Sequence, residues 1–297
     1  MAKLARQLGL FDATMIVMGG IIGSGIFINP YLVARQLPSP PLIIAAWAAG
    51  GFIALSGGFI WAELASRKPE LGGQYAYLRE AFHPLAAFLY GWTLLLVIQT
   101  GGMAAVAVTF AKYFLAVTGW RMSSAAPAVA VLALLTLVNC MGVRAGSTAQ
   151  SVLMTLKIAA IAVLVVCGLG FAPDLRGLAQ PPGKPMLPLD MLKAVGAAMT
   201  PIAFSYGGWQ TATFMSAELR DPRRDLTRGL VLGVAGVVIL YLAVNLAYLR
   251  VLGADGLAAT ATPASASMQL AIGPGGATFT AAAIAPFRRL DFSVRGC

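Results

Sequence analysis

The chain has 297 residues, of which 59% are hydrophobic and only 11% charged, and it carries a formal net charge of +10. This composition excludes a water-soluble globular protein, which needs far more polar surface. The Lys and Arg residues lie between apolar blocks and never form a basic face, so we interpret them as determinants of membrane topology and exclude a nucleic acid partner. We therefore predict an all-α integral membrane protein surrounded by the lipid bilayer.

Apolar segments of spanning length, which is about 20 residues for a helix, recur along the chain. We place seven of them, at 11–34, 41–65, 84–117, 125–143, 150–171, 191–217 and 229–251. A polar connector after the second contains a Gly72-Gly73 turn followed by a short amphipathic piece, which suits an interfacial or re-entrant segment. The proline-rich connector 172–190 is predicted to be an extended linker.

The distribution of basic residues favours a cytoplasmic N-terminus. In that orientation ten of them flank the spans on the inside and seven on the outside. The inside residues are Lys3, Arg6, Arg67, Lys68, Arg79, Arg144, Arg220, Arg223, Arg224 and Arg228, and the outside residues are Arg35, Lys112, Arg121, Arg176, Lys184, Lys193 and Arg250.

Two of the spans contain glycine clusters at their centres. The first has "GGIIGSGIF" at 19–27, and the sixth has "AFSYGGWQ" at 203–210 with Pro201 just before it. Five helices separate the start of the first span from the start of the sixth, and because this number is odd the two spans cross the bilayer in opposite directions. Paired interruptions of this kind predict unwound helices whose free backbone groups bind a zwitterion. The alternative is close packing of intact helices on glycine, and the matching positions favour unwinding.

Lys157 lies inside the fifth span, where a charge needs a polar partner or a watery cavity. No acidic residue lies at a similar depth in any predicted span. We therefore expect the freed carbonyl groups of the first span to accept hydrogen bonds from this ammonium. The alternative is a lysine that extends to the membrane interface.

These motifs together resemble the amino acid–polyamine–organocation superfamily of permeases, nearest its L-type amino acid transporter branch. The resemblance rests on "GGIIGSGIF", on "AELASRKPELGGQYAYLREAF", on Lys157 and on "FSYGGWQTATFMSAELRDPRRDLTRGL", and it runs from residue 1 to about 285. It implies the inverted-repeat, LeuT-like fold and amino acid transport by alternating access, either as sodium-independent exchange or coupled to protons. It also implies the plasma (inner) membrane and leaves an accessory subunit open.

The resemblance also assigns roles to individual residues. Backbone N–H groups of Gly23, Ser24 and Gly25 are expected to bind the α-carboxylate of the substrate, and backbone carbonyls of Ile21, Ile22, Phe204 and Ser205 its α-ammonium. Phe204 matches the aromatic gate, Gly207 and Trp209 match positions beside the side-chain pocket, and Lys157 matches the lysine that takes the place of a sodium ion.

The end of the chain departs from the family pattern. Residues 1–285 are expected to form the permease domain, with a first repeat at 11–171 and a partial second repeat at 191–285. The Ala-rich sequence then changes abruptly to an aberrant basic tail at 286–297. This change suggests C-terminal truncation, and the alternative is that the protein has a natural short tail.

Three functional hypotheses follow from these observations. The first is an amino acid permease, the second a non-transporting membrane protein that retains an amino acid binding site, and the third an inactive truncated product. An enzyme is disfavoured because no nucleophile with its base, metal site or phosphate-binding loop is recognisable, so no cofactor is expected. The charged residues after the sixth span form either a cytoplasmic charge network or a solvated loop; they are Glu218, Arg220, Asp221, Arg223, Arg224, Asp225 and Arg228.

Overall fold

A computed structural model describes residues 8–23, 25–67, 73–104, 107–108, 111, 115, 120, 122–140, 143–170, 187–260 and 262–272. Helices dominate this part of the chain, which confirms the all-α prediction. We number the α-helices α1 Leu10–Ile21, α2 Gly25–Gln36, α3 Pro40–Arg67, α4 Gln74–Ala81, α5 Pro84–Thr93, α6 Ala125–Cys140, α7 Val143–Gly170, α8 Pro188–Tyr206, α9 Thr227–Ala259 and α10 Pro263–Ile272.

Several helices are long and apolar enough to cross a membrane. Within the described residues these are Pro40–Arg67, Pro84–Ala104 and Arg223–Ala259, and the bent pair α1 and α2 adds a fourth. Ala125–Cys140 and Met154–Gly170 are shorter apolar helices. The prediction of an integral membrane protein is therefore confirmed.

Several predicted boundaries differ from the structure, and the helix of the fifth span begins at Val143 instead of at 150. The helix of the sixth span begins at Pro188, so the predicted extended linker is wrong for residues 188–190. Proline suits this first helical position because its missing N–H would be unpaired there in any case. The helix of the seventh span continues to Ala259 instead of ending at 251, with a kink at Gly253, whose φ is 69°.

The third span also contains an unpredicted π-helical turn. It covers Leu94–Gln99 and joins α5 to residues 100–104 of the same span. A π-turn accommodates an extra residue in the helix and widens it locally. Apolar sequence of this kind carries no marker for such a turn, so periodicity alone could not have located it.

The short amphipathic piece predicted after the second span is present as α4, and its interfacial or re-entrant location stays a prediction. Gly73 precedes it with a φ of 45°, a conformation that favours glycine. Tyr77 on this helix packs its ring against Trp61, with centroids 5.6 Å apart. Burial raises the pKa of the Tyr77 phenol above its ordinary value of 10.0, so the group stays neutral at physiological pH.

The long helix α9 lies at the centre of the core and packs on α1, α3 and α7. Its contact with α1 depends on small residues: a Cβ placed at Gly229 would lie 2.7 Å from the Ala13 Cβ, and one at Gly233 would lie 2.6 Å from a Val17 methyl. Glycine at these positions therefore lets the two backbones approach closely, as is common between membrane helices.

A backbone clasp joins the start of α1 to the segment that follows the sixth span. The Leu8 N–H donates to the Glu218 carbonyl (3.1 Å), and the Arg220 N–H donates to the Leu8 carbonyl (2.9 Å). Leu8 and Leu219 are both buried at this bridge. Glu218 and Arg220, which the sequence singled out for their charges, are thus held here through their backbones.

Candidate functional site

The first span is interrupted at its glycine cluster. Helix α1 ends at Ile21, Ile22 takes an extended conformation (φ −74°, ψ 94°), and α2 begins at Gly25 with its axis turned by 45°. Ser24 lies outside the described residues. A break of this kind leaves carbonyls at the end of α1 and N–H groups at the start of α2 without partners inside their helices. The predicted interruption is therefore present.

The sixth span is interrupted at its own glycines. Helix α8 ends at Tyr206, and a 3₁₀ helix continues from Trp209 to Glu218. Gly208 between them has a φ of 111°, and a Cβ there would overlap the Gly20 carbonyl of α1. The two interruptions therefore meet. At Gly208 the helix is unwound and also packs closely on α1, so the two interpretations of the glycine cluster both hold there.

Helix α2, which follows the first break, and helix α8, which precedes the second break, run in opposite directions. A Cβ at Gly25 would lie 2.9 Å from the Ser205 hydroxyl, and the Asn29 amide donates to the Pro201 carbonyl (2.9 Å). Since the later residue of α2 pairs with the earlier residue of α8, the two helices are antiparallel. This arrangement agrees with the opposite directions expected for the first and sixth spans.

Lys157 reaches the first break from α7. Its Nζ donates to the Ile22 carbonyl over 3.3 Å. Ten residues earlier on both helices, the Ser147 hydroxyl donates to Asp12 (3.3 Å), so α1 and α7 run parallel for about 15 Å. The expected contact between the lysine and a freed carbonyl is present, and the role of Lys157 in coupling stays a prediction.

Tyr241 on α9 is a second donor to the first break, and sequence reasoning missed it. Its hydroxyl donates to the Ile21 carbonyl (3.2 Å), and its ring is fully buried beside Tyr206, with centroids 5.2 Å apart. Trp47 completes this aromatic cluster, and its carbonyl accepts a hydrogen bond from the Tyr206 hydroxyl (3.2 Å). A single tyrosine in an apolar span gives no signal that separates this contact from simple core packing.

The carbonyls of Ile21 and Ile22 keep capacity for a ligand. Each carbonyl oxygen has two lone pairs, so a hydrogen bond from Tyr241 or Lys157 leaves room for a second donor. The break also places the partly negative end of α1 next to the partly positive start of α2. An ammonium and a carboxylate can therefore be bound side by side there.

The remaining predicted residues are distributed around the second break. Ser205 is buried, and its hydroxyl donates to the Pro201 carbonyl (2.9 Å), whereas the Phe204 side chain is 77% exposed. A Cβ at Gly23 would meet no atom within 4 Å. The structure thus brings Ile21, Ile22, Gly25, Ser205 and Lys157 to the seam between the breaks and leaves the Phe204 ring outside the core.

Gly207 and Trp209 line a cavity of about 470 Å³ between α3 and the second break. The Trp209 indole lies over Gly57, where a Cβ would be 2.7 Å from its ring, and meets Trp61 edge to face at 6.1 Å. Gln74 and Gln210 supply the polar part of the lining. A cavity of this size and composition can hold an apolar side chain.

No group of three or more His, Cys, Asp or Glu side chains is placed to hold a metal ion within the described ranges. Among the donors at the seam, the Lys157 ammonium and the Tyr241 phenol donate to the carbonyls of Ile22 and Ile21.

Oppositely directed, interrupted membrane helices that meet beside a partly buried cation define the architecture of a broken-helix membrane transporter. The family model described as "Amino acid permease" matches residues 8–286, and the chain belongs to this family. The resemblance to the superfamily and to its L-type branch is thereby confirmed, together with the inverted-repeat fold that the family shares.

The chain is similar to named amino acid transporters. It is 33% identical over 266 residues to b(0,+)-type amino acid transporter 1 of Rattus norvegicus, which covers 84% of this chain and 52% of the relative. It is 31% identical over 273 residues to Large neutral amino acids transporter small subunit 2 of Homo sapiens, which covers 86% of this chain and 49% of the relative. The chain spans about half the length of the curated relatives it matches.

Replacing Tyr241 with Phe tests the second donor to the first break. The ring contacts survive, but the Ile21 carbonyl loses its partner, and an unsatisfied buried acceptor costs about 1–3 kcal/mol. We expect a lower melting temperature of the purified protein in detergent. The matched control is Tyr31→Phe, which removes an exposed hydrogen bond from Arg35 (3.0 Å) and should leave the melting temperature unchanged. Equal melting temperatures for Tyr241→Phe and the parent chain would show that the bond does not stabilise the break.

Proposed function

We propose that this protein transports neutral amino acids across the membrane by alternating access, as sodium-independent exchange. The observation that carries the proposal is the contact of the Lys157 ammonium with the Ile22 carbonyl at a helix break (3.3 Å). A partly buried cation at that point would take the electrostatic role of a coupling ion, because it neutralises the partly negative end of α1. Proton coupling is the alternative form of the same activity.

Recognition of the amino acid backbone would use both breaks. The substrate carboxylate would accept hydrogen bonds from the N–H groups of Gly23, Ser24 and Gly25 at the start of α2, where the helix dipole favours an anion. The substrate ammonium would donate to carbonyls at the end of α1 and at the end of α8, which are those of Ile21, Ile22, Phe204 and Ser205. This chemistry requires free α-amino and α-carboxyl groups on the ligand.

The substrate side chain would lie toward the second break. Gly207 and Trp209 border the cavity of about 470 Å³ described above, which suits an uncharged side chain. We assign Phe204 the role of the aromatic gate because it precedes the break by a few residues and is 77% exposed. The proposal therefore excludes large charged substrates.

The location is taken from the family resemblance and the orientation from charge. We propose the plasma (inner) membrane, as the resemblance implies, and a cytoplasmic N-terminus, which the excess of basic residues on that side of the spans supports. The clasp between Leu8 and the segment at Glu218 and Arg220 would then lie at the cytoplasmic face. Transport toward the cytoplasm would require this clasp to open, since it joins the start of α1 to the end of the 3₁₀ helix Trp209–Glu218, and both elements lead to a break.

The test is uptake of a labelled mixture of neutral amino acids into liposomes that contain the purified 297-residue chain. We expect uptake when unlabelled amino acids are trapped inside and little uptake when the liposomes are empty, with no dependence on sodium. Uptake into empty liposomes that follows an imposed pH gradient would favour proton coupling. Absence of uptake with intact ligand binding would contradict transport and identify a binding protein.

A further inference from the structure

Asn29 is a buried amide on α2 whose role the sequence did not reveal. Its Nδ2 donates to the Ser205 hydroxyl (2.7 Å) and to the Pro201 carbonyl (2.9 Å), both on α8. The Asn29 and Ser205 side chains are 7% and 2% exposed. A polar side chain buried inside a membrane protein is costly unless it is hydrogen-bonded. These hydrogen bonds therefore favour one arrangement of α2 against α8.

The three residues form a closed hydrogen-bonded group. Ser205 donates its own hydroxyl proton to the Pro201 carbonyl (2.9 Å) while it accepts from Asn29. The carbonyl of Pro201 thus receives donors from its own helix and from α2. Because Pro201 has no N–H, the carbonyl four residues earlier on α8 lacks its internal donor, and the two side-chain donors bind one turn further along, at the Pro201 carbonyl.

Asn29 and Gly25 together form a continuous strip of contact between α2 and α8. The two residues are four apart on α2 and face Pro201 and Ser205, which are four apart on α8. Gly25 allows the approach, because a Cβ there would lie 2.9 Å from the Ser205 hydroxyl and 3.2 Å from the Ser205 Cα. The strip therefore begins at the first residue of α2, directly beside both breaks.

We propose that Asn29 is a positioning residue that clamps α2 to α8, so that the N–H groups at the first break and the carbonyls at the second are held at a fixed separation. The clamp also keeps the Ser205 hydroxyl bonded to Pro201 and leaves its backbone carbonyl as the group that faces the ligand. This inference rests on the proposed function, because the fixed separation is matched to the ammonium and carboxylate of one amino acid. The two half-helices move as one unit.

The test compares Asn29→Leu, Asn29→Asp, Ser205→Ala and the double variant Asn29→Leu with Ser205→Ala in the exchange assay. Leu and Asp have nearly the size of Asn but lack its two donors. We expect the amino acid concentration for half-maximal exchange to rise about tenfold in both Asn29 variants, with the maximal rate changed less than about twofold, because binding geometry is lost rather than the transport step. The double variant should be no weaker than Asn29→Leu, since both changes break one group.

Tyr31→Phe is the matched control, because it removes an exposed hydrogen bond on the same helix and should leave half-saturation unchanged. An unchanged half-saturation in correctly folded Asn29→Leu, or losses that multiply in the double variant, would overturn the clamp. If the parent chain shows no exchange, the proposed function fails, and hydrogen–deuterium exchange then decides on the clamp separately. Faster amide exchange in both α2 and α8 of Asn29→Leu supports it, and unaltered exchange in either helix overturns it.

Discussion

Replacing Lys157 with Ala is expected to abolish amino acid exchange. The substitution removes the ammonium that donates to the Ile22 carbonyl (3.3 Å), and a hydrogen bond to a charged group is worth about 1.5–3 kcal/mol. The end of α1 then keeps its partial negative charge with no cation beside it. The break that we propose to accept the substrate ammonium loses its support, so binding should fall by at least about tenfold and exchange should fall below detection.

The measurement is the initial rate of exchange in liposomes, normalised to the amount of folded protein. Lys193→Ala is the matched control, because Lys193 lies on the surface with a side chain that is 68% exposed and a weak ion pair to Asp190 (3.5 Å). Surface pairs of this kind contribute little, so the control should exchange at the parent rate. Undiminished exchange by Lys157→Ala would contradict the assigned role.

Replacing Gly208 with Ala is expected to destabilise the protein by about 2–5 kcal/mol. The residue has a φ of 111°, which a residue with a side chain rarely adopts, and its Cβ would overlap the Gly20 carbonyl. The obstacle is backbone rather than a mobile side chain, so the contact between the two breaks has to separate. We expect a large fall in melting temperature and loss of exchange in the fraction that still folds.

Gly196→Ala is the matched control for this prediction. Gly196 lies inside α8, and a Cβ there would meet no atom within 4 Å. Alanine is favoured over glycine in a helix by about 1 kcal/mol, so this variant should be as stable as the parent chain or slightly more stable. Equal melting temperatures for Gly208→Ala and Gly196→Ala would show that the two breaks do not meet as described.

The interruptions were predictable because glycine carries its signal in the sequence itself. A cluster of glycines inside an apolar span weakens the helix regardless of what surrounds it, and the structure ends α1 at Ile21 and α8 at Tyr206, next to those clusters. Lys157 was equally conspicuous, since a charge in an apolar span needs a polar partner. These features are local, so a single sequence is enough to find them.

The donors that complete the site were not predictable for a different reason. Tyr241 and Asn29 differ from ordinary core residues only in what they contact, and those contacts join residues 220 and 172 positions apart in the chain. Such pairings depend on how helices pack in three dimensions. The clasp at Leu8 is a further case, because it is made entirely by backbone groups and has no side-chain signature.

The pairing of α2 with α8 was predictable from the sequence in its direction but not in its hydrogen bonds. The sequence predicted opposite directions for the first and sixth spans from the number of helices between them, and the contacts of Gly25 and Asn29 with α8 agree with it. Only the structure shows that the pair is held by buried hydrogen bonds between Asn29, Ser205 and Pro201. The architecture therefore follows from hydropathy and glycine placement, and its specificity follows from a few polar contacts.

The central claim is that the backbone groups at the two breaks bind the ammonium and the carboxylate of a free amino acid. Its most direct test is calorimetric binding of leucine, leucine methyl ester and N-acetyl-leucine to the purified chain. The account predicts that leucine binds and that both derivatives bind at least about tenfold more weakly, because each lacks one charged group. Equal binding of all three compounds would contradict the account.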